Sequence, residues 1–448
     1  MRAFDAMIQR FAALILLICF IASPVEAQTS ATLVGVVEDA QGGRLPGVSI
    51  RLRQTETGVA RDVVTDGEGR FTAAALSAGE YELHASLAGF RPLVQTGLRL
   101  TVGESASVTL TLQVGTTEDV TVRGATAVNT QTGELSYLMD QRTIQEVPVN
   151  GRNYTDLMQL LPTVNAFPHR DNGSVVAHGL AMSVNGQNPR TNVYLLDGTL
   201  QNDFTNSPAS SAAGTALGME TIREFRVASN SYSAEYGRAA GGQINVITKS
   251  GTNQLAGTGF LFHRNDALDA RNYFDVDDKP DFRRYQTGGT LGGPLRADRV
   301  FFFGGYEGLF ENLGRTIVTT VPDDNARRGV LPTGTVPISP TTLPYLLEFP
   351  VANGPSLGGG LAQHRFAFDQ RLRQHFVQGR VDAVPASGSQ FFVRYTIDDA
   401  QQDLPTDYPQ FPRAFVSTNQ FLTAEYRTTF SPATIGTARF GFSRTQIA

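Results

Sequence analysis

The chain has 448 residues, of which 41% are apolar and 18% charged, and its formal net charge is -5. This length predicts about three domains, and the apolar fraction excludes a wholly disordered chain. The slightly acidic balance excludes the basic surface that is typical of nucleic-acid-binding proteins, so no nucleic-acid partner is expected. Of the 37 Lys and Arg residues only Lys249 and Lys279 are lysines, and the one cysteine is Cys19.

Residues 1–27 have the pattern of a secretory signal peptide. Arginines precede the uncharged apolar run 11–21, and small residues lead to a cleavage site after Ala27. The alternative is a membrane anchor, but the run is much shorter than the ~20 residues that a spanning helix needs. Cleavage would remove Cys19, so the mature chain is expected to contain no disulfide, thiolate metal ligand or cysteine nucleophile.

Residues 30–115 predict a small β-sandwich. Short segments alternate between apolar and polar residues, as half-buried strands do, and turns rich in Gly and Asp separate them. The clearest segments are Leu33–Val37, Val48–Arg53, Gly79–Ala85 and Ser107–Leu112. The run Asp66–Gly69 suggests a calcium loop, but the EF-hand spacing is absent and a hairpin turn is the better interpretation.

This region resembles the carboxypeptidase regulatory-like domain. The resemblance rests on GVVEDAQGGRLPGVSIRLRQTETG, followed by TDGEGRFTAAALSAGEYELHASLAGF. It implies a transthyretin-like or immunoglobulin-like β-sandwich without catalytic activity of its own.

Residues 116–252 predict a mixed α/β domain. Asn153 can cap a helix that Pro162 ends. The apolar stripe of this helix consists of Tyr154, Leu157, Met158 and Leu161. Strands are predicted at Asn192–Leu196, Ile222–Val227 and Gly242–Thr248.

The same zone resembles the plug domain of TonB-dependent receptors, which transport substrates across the outer membrane. The matching segments are GRNYTDLMQLLPTV, VYLLDGTLQND and METIREFRVASNSYSAEYGRAAGGQINVITKSGTN, with RVASNSYSAEYG in place of the usual RGP element. The plug motif residues are Leu196, Asp197, Gly198, Tyr236, Gly237, Gly241, Gly242, Asn245 and Thr248. We expect them to fix the fold rather than bind ligand, since Gly198 permits a turn and Asp197 can accept backbone hydrogen bonds.

A short segment between sandwich and plug resembles a TonB box, which the energising protein TonB captures in the periplasm. The segment comprises Glu118, Asp119, Val120, Thr121 and Val122 and alternates as a strand would, with no obvious partner strand. Capture would proceed by β-augmentation, in which backbone hydrogen bonds complete a sheet edge. The alternative is an ordinary linker strand.

Residues 253–448 have the pattern of an outer-membrane β-barrel. Eight of the 28 Phe precede residue 255 and the rest follow it, in segments with a polar alternate face. These segments are Thr258–Arg264, Gln390–Asp398, Gln420–Phe430 and Thr437–Arg444. A soluble sandwich is the alternative, but it would leave this aromatic surface exposed to water.

The order of sandwich, plug and barrel resembles the Oar-like subfamily of TonB-dependent receptors. The fold expected is therefore mainly β, with part of a 22-stranded transmembrane antiparallel β-barrel at its C-terminal end. The sequence supplies about seven or eight such strands, so we expect the N-terminal part of a longer receptor. The resemblance implies localisation in the cell outer membrane.

No constellation of catalytic, cofactor-binding or metal-binding residues is recognisable. The six His lack zinc-site spacing, and neither a nucleophile elbow nor a phosphate loop is present. His169, Asp171 and His178 share one loop, but a solvated loop is the better interpretation. Asp277-Asp278 and Asp323-Asp324 lie in polar turns with the same interpretation. The sequence therefore predicts no enzyme, no cofactor and no metal.

The leading functional hypothesis is a receptor that binds an external substrate and admits it to the periplasm when the plug is displaced. Its expected partners are the TonB energising complex, outer-membrane lipid and an external substrate. The abundant Arg is expected to line a wet lumen and pair with plug carboxylates. Because the plug must move or loosen to admit substrate, its interface with the barrel is not expected to be a dry hydrophobic core. The alternative is a non-transporting adhesion or signalling protein. A secreted enzyme has no catalytic residues to support it.

Overall fold

The computed structural model describes residues 29–115, 120–123, 133–149, 151–166, 181–203, 211–212, 218–232, 236–271, 279–386, 388–431 and 434–448. The predicted signal peptide with Cys19 lies outside the described residues, as do Glu118 and Asp119, the 169–178 loop and Asp277-Asp278. Strands account for 60% of the structure and helices for 8%, which confirms the mainly β class. None of the helices in the described ranges is long and apolar enough to cross a membrane.

The N-terminal region is a β-sandwich of two sheets. Its strands are β1 (Ser30–Asp39), β2 (Ser49–Gln54), β3 (Ala60–Val64), β4 (Arg70–Ser77), β5 (Gly79–Ser86), β6 (Leu93–Leu100) and β7 (Ser105–Leu112). One sheet has the order β4-β1-β7, and the other begins β3-β2-β5-β6. Alternate residues of each strand are buried between the sheets, among them Leu33, Ile50 and Leu83. The period-two pattern of the sequence therefore produces this core.

An eighth strand, β8 (Val120–Arg123), adds to the outer edge of β6. The pairing is parallel, with Leu93 opposite Val120 and Thr96 opposite Arg123. The expectation that this segment lacks a partner strand is therefore wrong. Adjacent parallel strands are joined by a long connection rather than by a hairpin turn. No local sequence pattern therefore predicts the pairing of β8 with β6.

The second region is built on one five-stranded sheet. Its elements are β9 (Leu135–Met139), α1 (Gln141–Glu146), α2 (Tyr154–Leu157), β10 (Val164–Ala166), β11 (Met182–Val184), β12 (Val193–Leu196), β13 (Thr199–Leu200), β14 (Ile222–Asn230) and β15 (Gln243–Thr248). The sheet order is β13-β12-β15-β14-β9, and β10 pairs separately with β11. Short 3₁₀ turns span Met158–Leu160, Pro189–Thr191 and Met219–Thr221.

The predicted capped helix is present but short. The Asn153 side chain accepts a hydrogen bond from Thr155 N at 3.3 Å, and the helix passes into a 3₁₀ turn after Leu157. The residues of the predicted apolar stripe, Tyr154, Leu157, Met158 and Leu161, are all buried in the core of this region.

The third region is a single antiparallel sheet whose long strands follow one another in chain order. They are β16 (Ala256–Asn265), β17 (Phe282–Arg296), β18 (Val300–Pro322), β22 (Leu361–Ala383), β23 (Ser389–Leu404), β24 (Arg413–Ser431) and β25 (Thr434–Ile447). The long connection between β18 and β22 contains β19 (Val330–Leu331), β20 (Gly334–Thr335), α3 (Leu343–Glu348) and β21 (Ser356–Gly358). Further 3₁₀ turns span Asp266–Leu268 and Ala326–Arg328. Within the described residues, β16 and β25 are the edges of this sheet and do not pair with each other.

The two faces of the long sheet differ in polarity. One face carries exposed apolar side chains, including Tyr306, Val377, Tyr395 and Phe440. The other face carries buried polar side chains, including Gln286, Glu307, Arg394 and Thr423. An apolar outer face and a polar inner face are typical of outer-membrane barrels. Connections are short at one end of the sheet, as at 297–299, and long at the other, as at 323–360.

Candidate functional site at the plug and barrel interface

The turn after β12 is shaped by Asp197 and Gly198. Their φ angles are 47° and 77°, both in the left-handed region. Gly adopts this conformation readily and Asp is among the few other residues that tolerate it. Asp197 Oδ1 accepts from Thr248 N at 3.0 Å, and Oδ2 accepts from Thr248 Oγ1 at 2.8 Å. The carboxylate therefore ties the end of β12 to the end of β15.

Asp197 also pairs with two arginines of the long sheet. Arg394 Nε lies 2.8 Å from Asp197 Oδ2, and Arg380 Nη1 lies 3.4 Å from Oδ1. The Arg394 side chain is completely buried. Since a buried charge is costly unless it is paired, the three groups stabilise one another. The expected pairing of lumen arginines with a plug carboxylate is confirmed at this position.

A second charged cluster surrounds Arg152, at the start of α2. Arg152 Nη2 lies 2.6 Å from Glu220 Oε1, and its Nε lies 3.9 Å from Glu307 Oε1 on β18. Lys249 Nζ is 3.8 Å from the other Glu220 oxygen, and burial lowers the pKa of this lysine. Gln286 Nε2 donates to Glu307 at 2.5 Å. No spacing in the sequence joins these residues, and sequence reasoning missed them.

Apolar contacts complete the interface. Phe376 of β22 and Phe421 of β24 are buried and join the core cluster that contains Leu196 and Phe225. Thr199 Oγ1 also lies 2.7 Å from Thr423 Oγ1. Buried phenylalanines and buried ion pairs therefore both occur at this interface, which is not solely an apolar core. The interface is mixed.

The remaining plug motif residues cluster around β15. Gly242 N donates to Asn192 Oδ1 at 2.8 Å, and a Cβ on Gly241 would lie 2.3 Å from that same oxygen. Asn245 is buried opposite Leu195 on β12. Both glycines thus allow the backbone before β15 to lie close to the Asn192 side chain, which directly precedes β12.

Tyr236 and Gly237 lie just before β15. The Tyr236 ring meets Tyr232 edge-on, with ring centroids 6.3 Å apart, and packs beside Val193 and Leu195. Gln243 Nε2 donates to Gly237 O at 2.8 Å. The structure therefore brings the plug motif residues together around one sheet, whereas Val120, Thr121 and Val122 lie on the sandwich.

The sandwich docks on the plug through the turn between β6 and β7. Val102 N donates to Glu224 Oε1 at 2.6 Å, and Arg226 Nη2 donates to Thr101 Oγ1 at 3.1 Å. Burial raises the pKa of Glu224, while the Val102 N–H and nearby arginines favour its charged form. Nearby, Arg223 Nη2 is 2.8 Å from Glu56 Oε2.

The sandwich also touches the long sheet at its short-turn end. Arg427 Nη1 donates to Ala75 O at 2.9 Å, and Ser77 Oγ is 3.3 Å from Gln390 Oε1. A cavity of about 100 Å³ remains between the three regions and is lined by Thr57, Asp197 and Arg380 among others. The sandwich thus covers the short-turn side of the Asp197 cluster.

Titratable side chains elsewhere have structural contacts. His375 Nδ1 is 3.0 Å from Tyr306 Oη, and the His263 ring stacks on Tyr285 with centroids 4.3 Å apart. Asp323 accepts from Ala326 N at 2.7 Å in the turn after β18. Across the described ranges, no group of three or more His, Cys, Asp or Glu could hold a metal ion.

Three family models match consecutive parts of the chain. The carboxypeptidase regulatory-like domain matches residues 32–113, the TonB-dependent receptor plug domain residues 129–243, and an outer membrane beta barrel domain residues 247–448. The chain therefore contains the plug domain of TonB-dependent receptors, followed by an outer membrane beta barrel domain. Proteins with these domains are not enzymes, and the barrel domain places the chain in the outer membrane.

The chain is also similar to a curated protein. It is 26% identical over 313 residues to the TonB-dependent transporter Oar of Myxococcus xanthus, in an alignment that covers 64% of this chain. The chain spans 27% of the length of that relative.

The chain is also similar to parts of two solved outer-membrane proteins. The outer membrane transporter YddB from Escherichia coli has a TM-score of 0.43 and 16% identity, covering 66% of this chain and 37% of that chain. The siderophore receptor PirA from Acinetobacter baumannii has a TM-score of 0.36 and 13% identity, covering 70% of this chain and 48% of that chain.

Proposed function

We propose that this chain forms the N-terminal part of a TonB-dependent transporter. The transporter binds an external substrate and admits it to the periplasm when TonB displaces the plug. Residues 118–122 are the segment that TonB captures. The domain bounds proposed are 1–27 for the signal peptide, 30–115 for the sandwich, 116–252 for the TonB box and plug, and 253–448 for the barrel.

The main observation behind this proposal is the position of Asp197 against the inner face of the barrel sheet. Barrel side chains make the contacts at this position: Arg394 and Arg380 pair with the Asp197 carboxylate, and Arg394 also donates to the backbone oxygen of Leu196. The plug strands and the barrel strands belong to separate sheets. A plug held in this way can be displaced without breaking a barrel hydrogen-bond ladder, as transport requires.

The position of β8 supports the role of the TonB box. This strand belongs to the sandwich, and the sandwich docks at the short-turn end of the barrel sheet. Short turns face the periplasm in outer-membrane barrels. The segment is therefore on the side from which TonB acts.

Binding of TonB to the full-length receptor tests the proposal. Val120→Pro removes a backbone N–H and should abolish binding of the purified periplasmic domain of TonB to the detergent-solubilised receptor. Val120→Ala keeps the N–H and should retain binding. Equal binding by both variants would contradict the assignment of the TonB box.

Uptake in cells separates transport from adhesion. A panel of ferric siderophores, oligosaccharides and peptides should include one whose uptake requires both the receptor and TonB. Uptake that continues after deletion of TonB would contradict the proposed mechanism, and adhesion without any uptake would favour the non-transporting alternative.

A further inference from the structure

The proposed TonB box is already engaged within its own chain. All of β8, from Val120 to Arg123, pairs with residues 93–96 of β6. The backbone groups that bond to β6 are the kind that β-augmentation uses, so this edge of the segment is occupied.

The sandwich that holds β8 is itself fastened to the rest of the receptor. It contacts the plug through Val102 and Glu224, and it contacts the barrel through Ala75 and Arg427. A further barrel contact joins Arg439 Nη2 to Thr29 Oγ1 at 2.9 Å. Force applied to β8 while it is paired with β6 would therefore act on the contacts between sandwich and barrel as well as on the plug.

Force reaches the plug alone only when β8 leaves β6. Beyond β8, the chain continues to β9 of the plug sheet, which lies at the edge beside β14. Once β8 is free, tension on it passes along the chain to β9 and bypasses the contacts between sandwich and barrel.

We propose that the edge of β6 is an intramolecular docking site that holds the TonB box at rest and competes with TonB for it. This inference rests on the proposed function, because it takes residues 118–122 as the segment that TonB captures. The sandwich then sets how readily the receptor is engaged.

A disulfide across the β6–β8 pair tests the competition. Val94 and Thr121 are register partners, Thr121 is exposed, and Val94 lies between the buried residues Leu93 and Gln95. Both side chains therefore lie on the outer face of the sheet. Residues 28–448 contain no cysteine that could interfere.

The experiment compares the oxidised and reduced forms of the full-length Val94→Cys/Thr121→Cys receptor in detergent. The disulfide should form on mild oxidation and lower the affinity for the purified periplasmic domain of TonB at least about tenfold. Reduction should restore the affinity of the unmodified receptor. Arg51→Cys/Asp62→Cys is the matched control, since these exposed register partners join β2 to β3 away from β8, and its oxidation should leave TonB binding unchanged.

Two results would overturn the inference. Failure of the Val94→Cys/Thr121→Cys disulfide to form, while the control disulfide forms, would show that β8 does not rest on β6. Unchanged TonB binding by the oxidised receptor would show that TonB pairs with the outer edge of β8, so that the sandwich presents the segment instead of withholding it. Failure of the unmodified receptor to bind TonB is a different result, because it would refute the proposed function itself.

Discussion

Arg394 of the barrel and Asp197 of the plug form an ion pair of 2.8 Å in which the two side chains are 0% and 3% exposed. Arg394 Nη2 also donates to Leu196 O at 3.3 Å, so the guanidinium contacts both the backbone and the side chain of the plug turn. A pair so fully removed from water is sensitive to the loss of either member, because the remaining charge stays buried.

Asp197→Asn should loosen the plug. Asn tolerates the left-handed turn conformation but leaves Arg394 without its countercharge. We expect a loss of about 3 kcal/mol in plug stability, at the lower end for a broken buried pair because Arg380 keeps its contact with Asp382. Hydrogen exchange of the β12 and β15 amides should become correspondingly faster.

Glu146→Gln is the matched control for that change. It removes a plug carboxylate whose partner, Arg142, is on the surface, so the expected effect is below about 0.5 kcal/mol. Equal exchange rates in the Asp197→Asn and Glu146→Gln receptors would show that the buried pair does not hold the plug.

Gly198 and Gly237 should respond differently to alanine, although both belong to the plug motif. Gly198 has a φ of 77°, and a Cβ there would lie 2.4 Å from Arg439 Nη1. Gly198→Ala should therefore cost about 1–2 kcal/mol. Around Gly237 a Cβ meets nothing within 4 Å, so Gly237→Ala should be nearly neutral. The midpoint of plug unfolding in urea measures the stability loss of each variant. A larger loss for Gly237→Ala than for Gly198→Ala would contradict the prediction.

Phe421→Ala should weaken plug retention because Phe421 is a barrel residue that packs in the plug core. Truncation of a buried phenylalanine costs about 3–5 kcal/mol. Phe430→Ala on the same strand is the control, since Phe430 is 73% exposed on the outer face. Limited proteolysis of the plug should accelerate only in the first variant, and equal proteolysis of both would rule out a plug contact at Phe421.

Plug stability should depend on pH through Asp156. Burial raises the pKa of this carboxyl from 3.8 to about 6. The folded plug therefore binds the proton more tightly than the unfolded chain does, and its stability should fall as pH rises from about 4 to about 6. Asp156→Asn should remove this fall. Urea midpoints from about pH 4 to about pH 7 measure the difference, and parallel profiles for the two proteins would contradict the assignment.

Local patterns predicted the strands but understated their lengths. The segment Ser107–Leu112 falls within β7, and Gln390–Asp398 falls within a β23 that extends to Leu404. Residues 399–404 lack the aromatic alternation of the earlier part, so the pattern ends before the strand does. The predicted helix after Asn153 has the right buried stripe but only one α-helical turn.

Long-range partners could not be predicted in the same way. The turn at Asp197-Gly198 depends on local residue types, so it could be predicted from the sequence alone. The partners Arg394 and Arg380 depend on the register of barrel strands almost 200 residues away, and many arginines occupy similar positions. The parallel pairing of β8 likewise depends on the folded sandwich.

The short connection between plug and barrel sets how far the plug can travel. Only residues 249–255 separate the end of β15 from the start of β16. Fully extended, such a leash reaches roughly 25 Å, which is less than the ~30 Å thickness of a bilayer's hydrocarbon core. While β15 stays folded, its end cannot move far from the first barrel strand. Movement of the plug would therefore be a swing or a partial unfolding rather than its expulsion from the barrel.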